Sequence, residues 1–102
     1  MIRKKLNDQY RVIKTECFPC SLPSKSGHLA LLGIGGNVGD VVRRFQHLFC
    51  YLKRSSFLRV IRTAPILKNP PFGYKEQEDF FNSLILVETF LNPKALLRYV
   101  LR

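Results

Sequence analysis

The chain has 102 residues, 46% of them hydrophobic and 24% charged, with a formal net charge of +10. That length holds one small domain with a modest core, and that composition excludes a disordered chain. No apolar run approaches the ~18 residues of a membrane-spanning helix; the longest, Leu29 to Gly36, has eight residues and three of them are glycines. The charged N-terminus has no apolar stretch behind it, so no secretory signal is expected and the cytoplasm is the expected location. The positive charge permits nucleic acid, anionic lipid or phosphate-bearing ligands. Lys and Arg are scattered, however, and no nucleic-acid motif accompanies them, so neither nucleic acid nor membrane is an expected partner.

Residues 1–28 read as an N-terminal extension, partly flexible or holding one short strand. They carry six Lys/Arg and two acids. A strand fits Gln9 to Cys17, with Tyr10, Val12 and Ile13 as its apolar positions, and the charged start reads as a solvated tail rather than a binding arm. The cysteines are Cys17, Cys20 and Cys50. An odd count argues against a disulfide framework, and Cys17-Phe18-Pro19-Cys20 has no second pair at zinc-site spacing, so no metal site is expected.

Leu29 to Gly35 is continuously apolar and predicts a strand covered on both faces. Gly36 to Asp40 predicts a turn. Val41, Phe45, Leu48, Phe49 and Leu52 recur at three- and four-residue spacing and predict a helix, with Asn37 or Asp40 accepting from its first free N–H groups. Ser55-Ser56 ends it. Phe57 to Thr63 predicts a strand near a sheet edge, and Phe81 to Thr89 predicts a central one. Asn92-Pro93 opens a second helix, with Asn as cap and Pro in the first turn.

Between the last two strands lies Asn69 to Asn82, NPPFGYKEQEDFFN. It is too polar and turn-rich for a core element. Loops of this length inside a small domain are usually functional or disordered, and Pro70-Pro71 pre-shapes this one. Its far end brings two aromatics and an amide, Phe80, Phe81 and Asn82. Rings stack on a planar ligand and an amide donates and accepts in one plane, so the stretch predicts a pocket for a flat heterocycle. Phe80 and Phe81 must point in opposite directions, so one of them belongs to the core.

The order β-α-β-β-α predicts an α+β, ferredoxin-like split β-α-β sandwich without its last strand. The strand Leu29 to Gly35 then has an uncovered edge. A fragment, a homodimer through that edge, or residues 9–17 filling the gap would each account for it. Gly33-x-Gly35-Gly36-x-x-Gly39 lacks both G-x-G-x-x-G spacing and a Gly-Lys-Ser/Thr ending, which favours a tight strand-to-helix turn over a nucleotide loop.

Three ordered segments carry a family resemblance. Leu32 to Asp40 resembles the G-x-G-S-N-x-G-D opening of 6-hydroxymethyl-7,8-dihydropterin pyrophosphokinase, an enzyme family of folate biosynthesis. Pro70-Pro71-Phe72-Gly73 with Gln77-x-Asp79-Phe80-Phe81-Asn82 resembles its P-P-x-G and Q-x-D-[YF]-x-N segment, and Val87-Glu88-Thr89-Phe90-Leu91-x-Pro93 resembles the V-E-T-x-L-x-P that follows. The resemblance spans Leu29 to Arg102 and leaves residues 1–28 uncovered.

That resemblance implies pyrophosphoryl transfer from ATP to the pterin hydroxymethyl group, with two magnesium ions. It implies pterin-side positions at Asn69, Pro70, Phe72, Phe80 and Asn82, with Phe80 stacking on the pterin and Asn82 bonding its polar rim. Gly35, Gly36 and Asn37 would shape the turn below the site. The family's metal-binding carboxylates and phosphate-contacting arginines lie downstream of the second helix. The expectation is therefore a chain that carries the pterin-side half, without catalytic residues or ligands for ATP and magnesium, and with no turnover alone. Glu76, Glu78 and Asp79 read as a solvated acidic loop. The alternative is a non-catalytic binding or oligomerisation module using the residual pocket or the strand edge.

Overall fold

A computed structural model describes residues 2–6, 10–22, 27–70 and 79–101. In chain order its elements are β1 (Ile2–Lys5), β2 (Arg11–Lys14), β3 (Cys20–Ser21), β4 (His28–Gly36), α1 (Val41–Lys53), β5 (Leu58–Thr63), β6 (Ile66–Asn69), β7 (Phe80–Thr89) and α2 (Pro93–Val100). The result is an α+β fold, one antiparallel sheet with two helices. No helix among the described residues is long and apolar enough to cross a membrane.

The sheet is organised around β7. Its ten residues pair with β4 along one edge, from Phe81 to Thr89. The other edge takes two shorter strands end to end, β6 at Phe80 to Asn82 and β5 at Ile85 to Thr89. Ala64-Pro65 separates β5 from β6; Pro65 has no N–H to give to a ladder. The Ser83 hydroxyl closes this gap by donating to the carbonyls of Ala64 and Pro65 at 3.0 and 3.3 Å.

Helix α1 is held by packing more than by propensity, since Val, Phe and Tyr are indifferent helix formers. It buries Val41, Val42, Phe45, Phe49 and Leu52, and each such side chain contributes about 1.5–3 kcal/mol on leaving water. Asp40 caps it, its carboxylate accepting from the Arg43 N–H at 3.1 Å. Asn92 caps α2 in the same way, accepting from Ala95 at 2.8 Å, with Pro93 in the first turn. Leu96 of α2 joins the same core cluster as α1 and the inner side chains of β7, Ile85 and Val87.

Both helices thus serve one face of the sheet, and this corrects the expectation for β4. Its residues alternate between half-buried and exposed. Leu29 and Leu31, 61% and 62% exposed, look out from the helix-free side. A continuous apolar run predicts cover on both faces; only one is covered among the described residues.

Residues 2–21 supply three strands and two core side chains. β2 pairs with β6, and β1 pairs with β2. Of the segment 9–17, the described residues 10–17 therefore do not fill the gap beside β4, which lies at the opposite margin of the sheet. Ile13 reaches the core, as does Phe18, which sits 6.2 and 6.0 Å from the ring centres of Phe45 and Phe49. Thr15 and Thr63 fasten the turn that delivers Phe18: Thr15 Oγ1 accepts from the Phe18 N–H at 3.1 Å, and Thr63 Oγ1 accepts from Cys20 at 2.9 Å. Burial pushes the Cys17 thiol up, helped by Cys50, Cys20 and Glu16. A thiol kept protonated is a poor nucleophile.

Candidate functional site

Three strand ends converge where β7 begins. Cross-strand register puts Asn69 of β6 beside Phe80, and puts Asn82 between Leu67 of β6 and Gly35 of β4. Because side chains alternate along a strand, Asn69, Phe80, Asn82 and Gly35 share the outer, helix-free face. Phe81 goes the other way. It packs against the core cluster, and the Lys68 ammonium lies 5.7 Å from its ring centre. Of the two adjacent phenylalanines, Phe81 is the core residue and half-buried Phe80 is the one on the site face.

The polar centre is a pair of carboxamides. Asn82 Nδ2 donates to Asn69 Oδ1 at 3.1 Å, and Asn69 Nδ2 donates to the Pro70 carbonyl at 3.2 Å. These bonds fix the plane of each amide while leaving each one hydrogen and at least one lone pair unspent. Among the described residues Asn82 Oδ1 accepts no hydrogen bond, and it leans over Gly35. A Cβ added to Gly35 would lie 2.8 Å from that oxygen. Glycine is therefore required there by close approach of a side chain, not by backbone conformation.

The remaining positions fall as follows. Gly35 and Gly36 are the last residues of β4 and not part of the turn itself; Gly39, with a φ of +73°, makes the turn. A Cβ on Gly36 would meet Val41 at 3.3 Å, so Gly36 lets α1 approach the sheet. Asn37 follows β4, half-buried, on the way to the turn. Phe72, Glu76 and Glu78 lie outside the described residues. Asp79 is described, and its carboxylate stands 3.6 Å from Lys68 Nζ. Among the described residues no three His, Cys, Asp or Glu side chains are grouped to hold a metal. Asp79, the described member of that acidic trio, is already paired with a lysine.

Among the described residues, enclosure does not mark this cluster out. A cavity of about 550 Å³ lies at the other end of the sheet, lined by Lys53, Phe57 and Glu88. Another of about 500 Å³ runs between α1, α2 and β4. Neither is lined by Asn69, Phe80 or Asn82. Among the described residues, the amide pair instead sits on an uncovered sheet face.

Residues 31–102 match the family of 7,8-dihydro-6-hydroxymethylpterin-pyrophosphokinase (HPPK). The chain is 39% identical over 74 residues to the 2-amino-4-hydroxy-6-hydroxymethyldihydropteridine pyrophosphokinase of Campylobacter jejuni, a match covering 72% of this chain and 47% of that protein. Identity to the protein of the same name from Helicobacter pylori is 36% over 75 residues, 71% of this chain and 46% of that one. The folic acid synthesis protein fol1 of Schizosaccharomyces pombe is 32% identical over 75 residues, 74% of this chain and 10% of its own length. The chain thus spans about half the length of the two bacterial relatives.

Proposed function

The chain belongs to the 7,8-dihydro-6-hydroxymethylpterin-pyrophosphokinase family, and from that premise we propose that Asn69, Phe80 and Asn82 form the surface on which it binds a pterin. The reaction served is pyrophosphoryl transfer from ATP to the pterin hydroxymethyl group, with magnesium neutralising the phosphates. The observation that carries the reading is the Asn82–Asn69 amide pair, at 3.1 Å, placed over a glycine. A pteridine rim alternates N–H donors with nitrogen and oxygen acceptors. Two carboxamides locked in orientation can read such a rim, and the face of Phe80 beside them can stack on the ring. Pro70 contributes through its carbonyl, which orients Asn69. The neighbour order β4–β7–β5, with both helices on one face, supports the ferredoxin-like layout. ATP and magnesium belong to the family's reaction, but the described residues present no carboxylate set for the metal.

Titration of the 102-residue protein with 6-hydroxymethylpterin, followed by the ligand's fluorescence, tests this directly. Saturable binding is expected. Asn82→Ala and Phe80→Ala should each weaken it about tenfold, since a hydrogen bond to a polar rim is worth about 1–3 kcal/mol and a stacked ring about 0.5–1.5 kcal/mol beyond its burial. The same protein given ATP, magnesium and pterin is expected to release no AMP. Equal affinity in wild type and Asn82→Ala would sink the assignment of the site.

A further inference from the structure

We infer that the chain pairs with a second copy of itself along the free edge of β4, strand against strand about a two-fold axis at Leu32. The inference does not depend on the pterin reading.

The sheet has three margins among the described residues, and they differ in kind. β1, at one of them, carries Arg3, Lys4 and Lys5. β3, at another, is two residues long. Charged side chains and very short strands are the usual ways of blocking a sheet edge against further pairing. β4 has neither. Its nine residues pair with β7 on one side and, among the described residues, with no strand on the other. From His28 to Val38 there is no Lys, Arg, Asp or Glu, in a chain that holds 17 Lys/Arg and a net charge of +10.

The edge left bare is complementary to itself. Only a two-fold at Leu32 pairs all nine residues of β4 with those of a second copy, and it runs the two strands antiparallel. Leu31 then faces the partner's Gly33, Leu29 faces the partner's Gly35 and Ala30 faces the partner's Ile34. On both faces of the sheet a large side chain meets a small one; Leu32 alone meets its equal, at the axis. Such a ladder adds about 8–10 backbone hydrogen bonds. Leu29 and Leu31, exposed in one chain, each gain a neighbour across the axis.

The groove of about 500 Å³ follows the same edge. Leu31 and Gly33 line it from the outer face of β4, Leu32 and Ile34 from the inner one, and only a cavity at a strand's edge touches both. Leu97 and Leu101 of α2 line it too; both are exposed. Arg44 is its one charged lining residue among the described residues, and the guanidinium is turned to the Val38 carbonyl. Two chains of like charge can therefore meet here without setting cations against each other along the strand. The pairing also reaches the candidate site, since the partner's Leu29 would stand beside Gly35, in the row that holds Asn82.

Sedimentation equilibrium of the whole chain tests this. At micromolar concentration the expected mass is twice the 11.8 kDa of one chain. Leu31→Lys puts two ammonium groups on diagonal positions about 7–8 Å apart across the axis and is expected to leave single chains. Gly33→Glu, at a position where a Cβ meets nothing within 4 Å, should do the same. Mixed, the two variants should regain the doubled mass, because the new ammonium of one faces the new carboxylate of the other. A wild-type mass of one chain at every concentration gives the edge to some other strand and overturns the inference. So does a mass that climbs beyond two chains, which a closed two-fold forbids. Leu31→Lys sedimenting like wild type would put the interface elsewhere and overturn it too. If the mixture stays at one chain, the two-fold at Leu32 is wrong. Should Leu31→Lys fail to fold, amide hydrogen exchange of the wild type decides: the β4 N–H groups that point away from β7 must be protected, and must lose that protection on dilution. If their exchange is the same at every dilution, β4 is not the interface.

Discussion

Along β7, Phe81, Ser83, Ile85, Val87 and Thr89 turn toward the helices, while Phe80, Asn82, Leu84 and Leu86 turn away. The first set is buried or packed on the core. In the second, Asn82 is exposed and Leu84 is 44% exposed. These nine residues therefore answer to two requirements. The inner set must fill space and satisfy every polar atom, as Ser83 and Thr89 do through their hydroxyls. The outer set is released from packing at the Phe80–Asn82 end, where an amide and a ring can be kept for a ligand at little cost in stability. A strand of this kind separates fold from function residue by residue, and substitutions on neighbouring positions should report different quantities.

The largest expected contrast is between Ile85 and Leu84. Ile85 is fully buried, so Ile85→Ala should lose about 2–5 kcal/mol through lost burial and the cavity left behind. Leu84→Ala, one residue along, should change stability by only about 0.5 kcal/mol, as surface substitutions do. Urea unfolding of both variants measures this. Comparable losses would mean that the outer face is covered in solution, and the contrast between faces would have to be redrawn.

Ser83 and Asn82 sharpen the contrast for polar groups. Ser83→Ala removes a buried hydroxyl that serves two carbonyls, and leaving them short of a donor costs about 1–3 kcal/mol. Pterin affinity should not change. Asn82→Ala should do the reverse, leaving the melting temperature near wild type and weakening the ligand. A Ser83→Ala protein that melts normally but binds poorly would exchange the two roles and refute the division.

How much of this could be read before folding depends on how local each signal is. The stripe Val41–Leu52, the caps Asp40 and Asn92 and the alternation at Phe80-Phe81 are written within a few residues, and each is legible. The open face of β4 is not. Leu-Ala-Leu-Leu reads as apolar whether or not anything covers its far side. Phe18 gives no periodic signal, because a single ring delivered by a turn has no neighbours at helical or strand spacing. β6 was hidden in the approach to the proline-rich loop: four residues ending at Asn69 are too short to show alternation. Val12 and Ile13 were legible as apolar strand positions, but what β2 lies beside depends on pairings as distant as Arg11↔Lys68, 57 positions apart in sequence.

Gly35 offers the finest test, because a change there should barely move folding while it weakens binding. In a strand interior, replacing glycine by alanine removes chain entropy from the unfolded state and gains about 0.5–1 kcal/mol. Here the new methyl group would sit 2.8 Å from Asn82 Oδ1. The exposed amide can swing aside for about 0.5–1.5 kcal/mol of rotamer strain, so net stability should stay within about 1 kcal/mol of wild type. The swing breaks the bond from Asn82 to Asn69, and pterin affinity should drop nearly as far as in Asn82→Ala. Gly33→Ala is the matched control on the same strand and face: a Cβ there meets nothing within 4 Å, so binding should be untouched. If Gly35→Ala and Gly33→Ala bind pterin alike, the orientation of Asn82 is not what the ligand reads, and the outer face of β7 would have to bind through Phe80 alone.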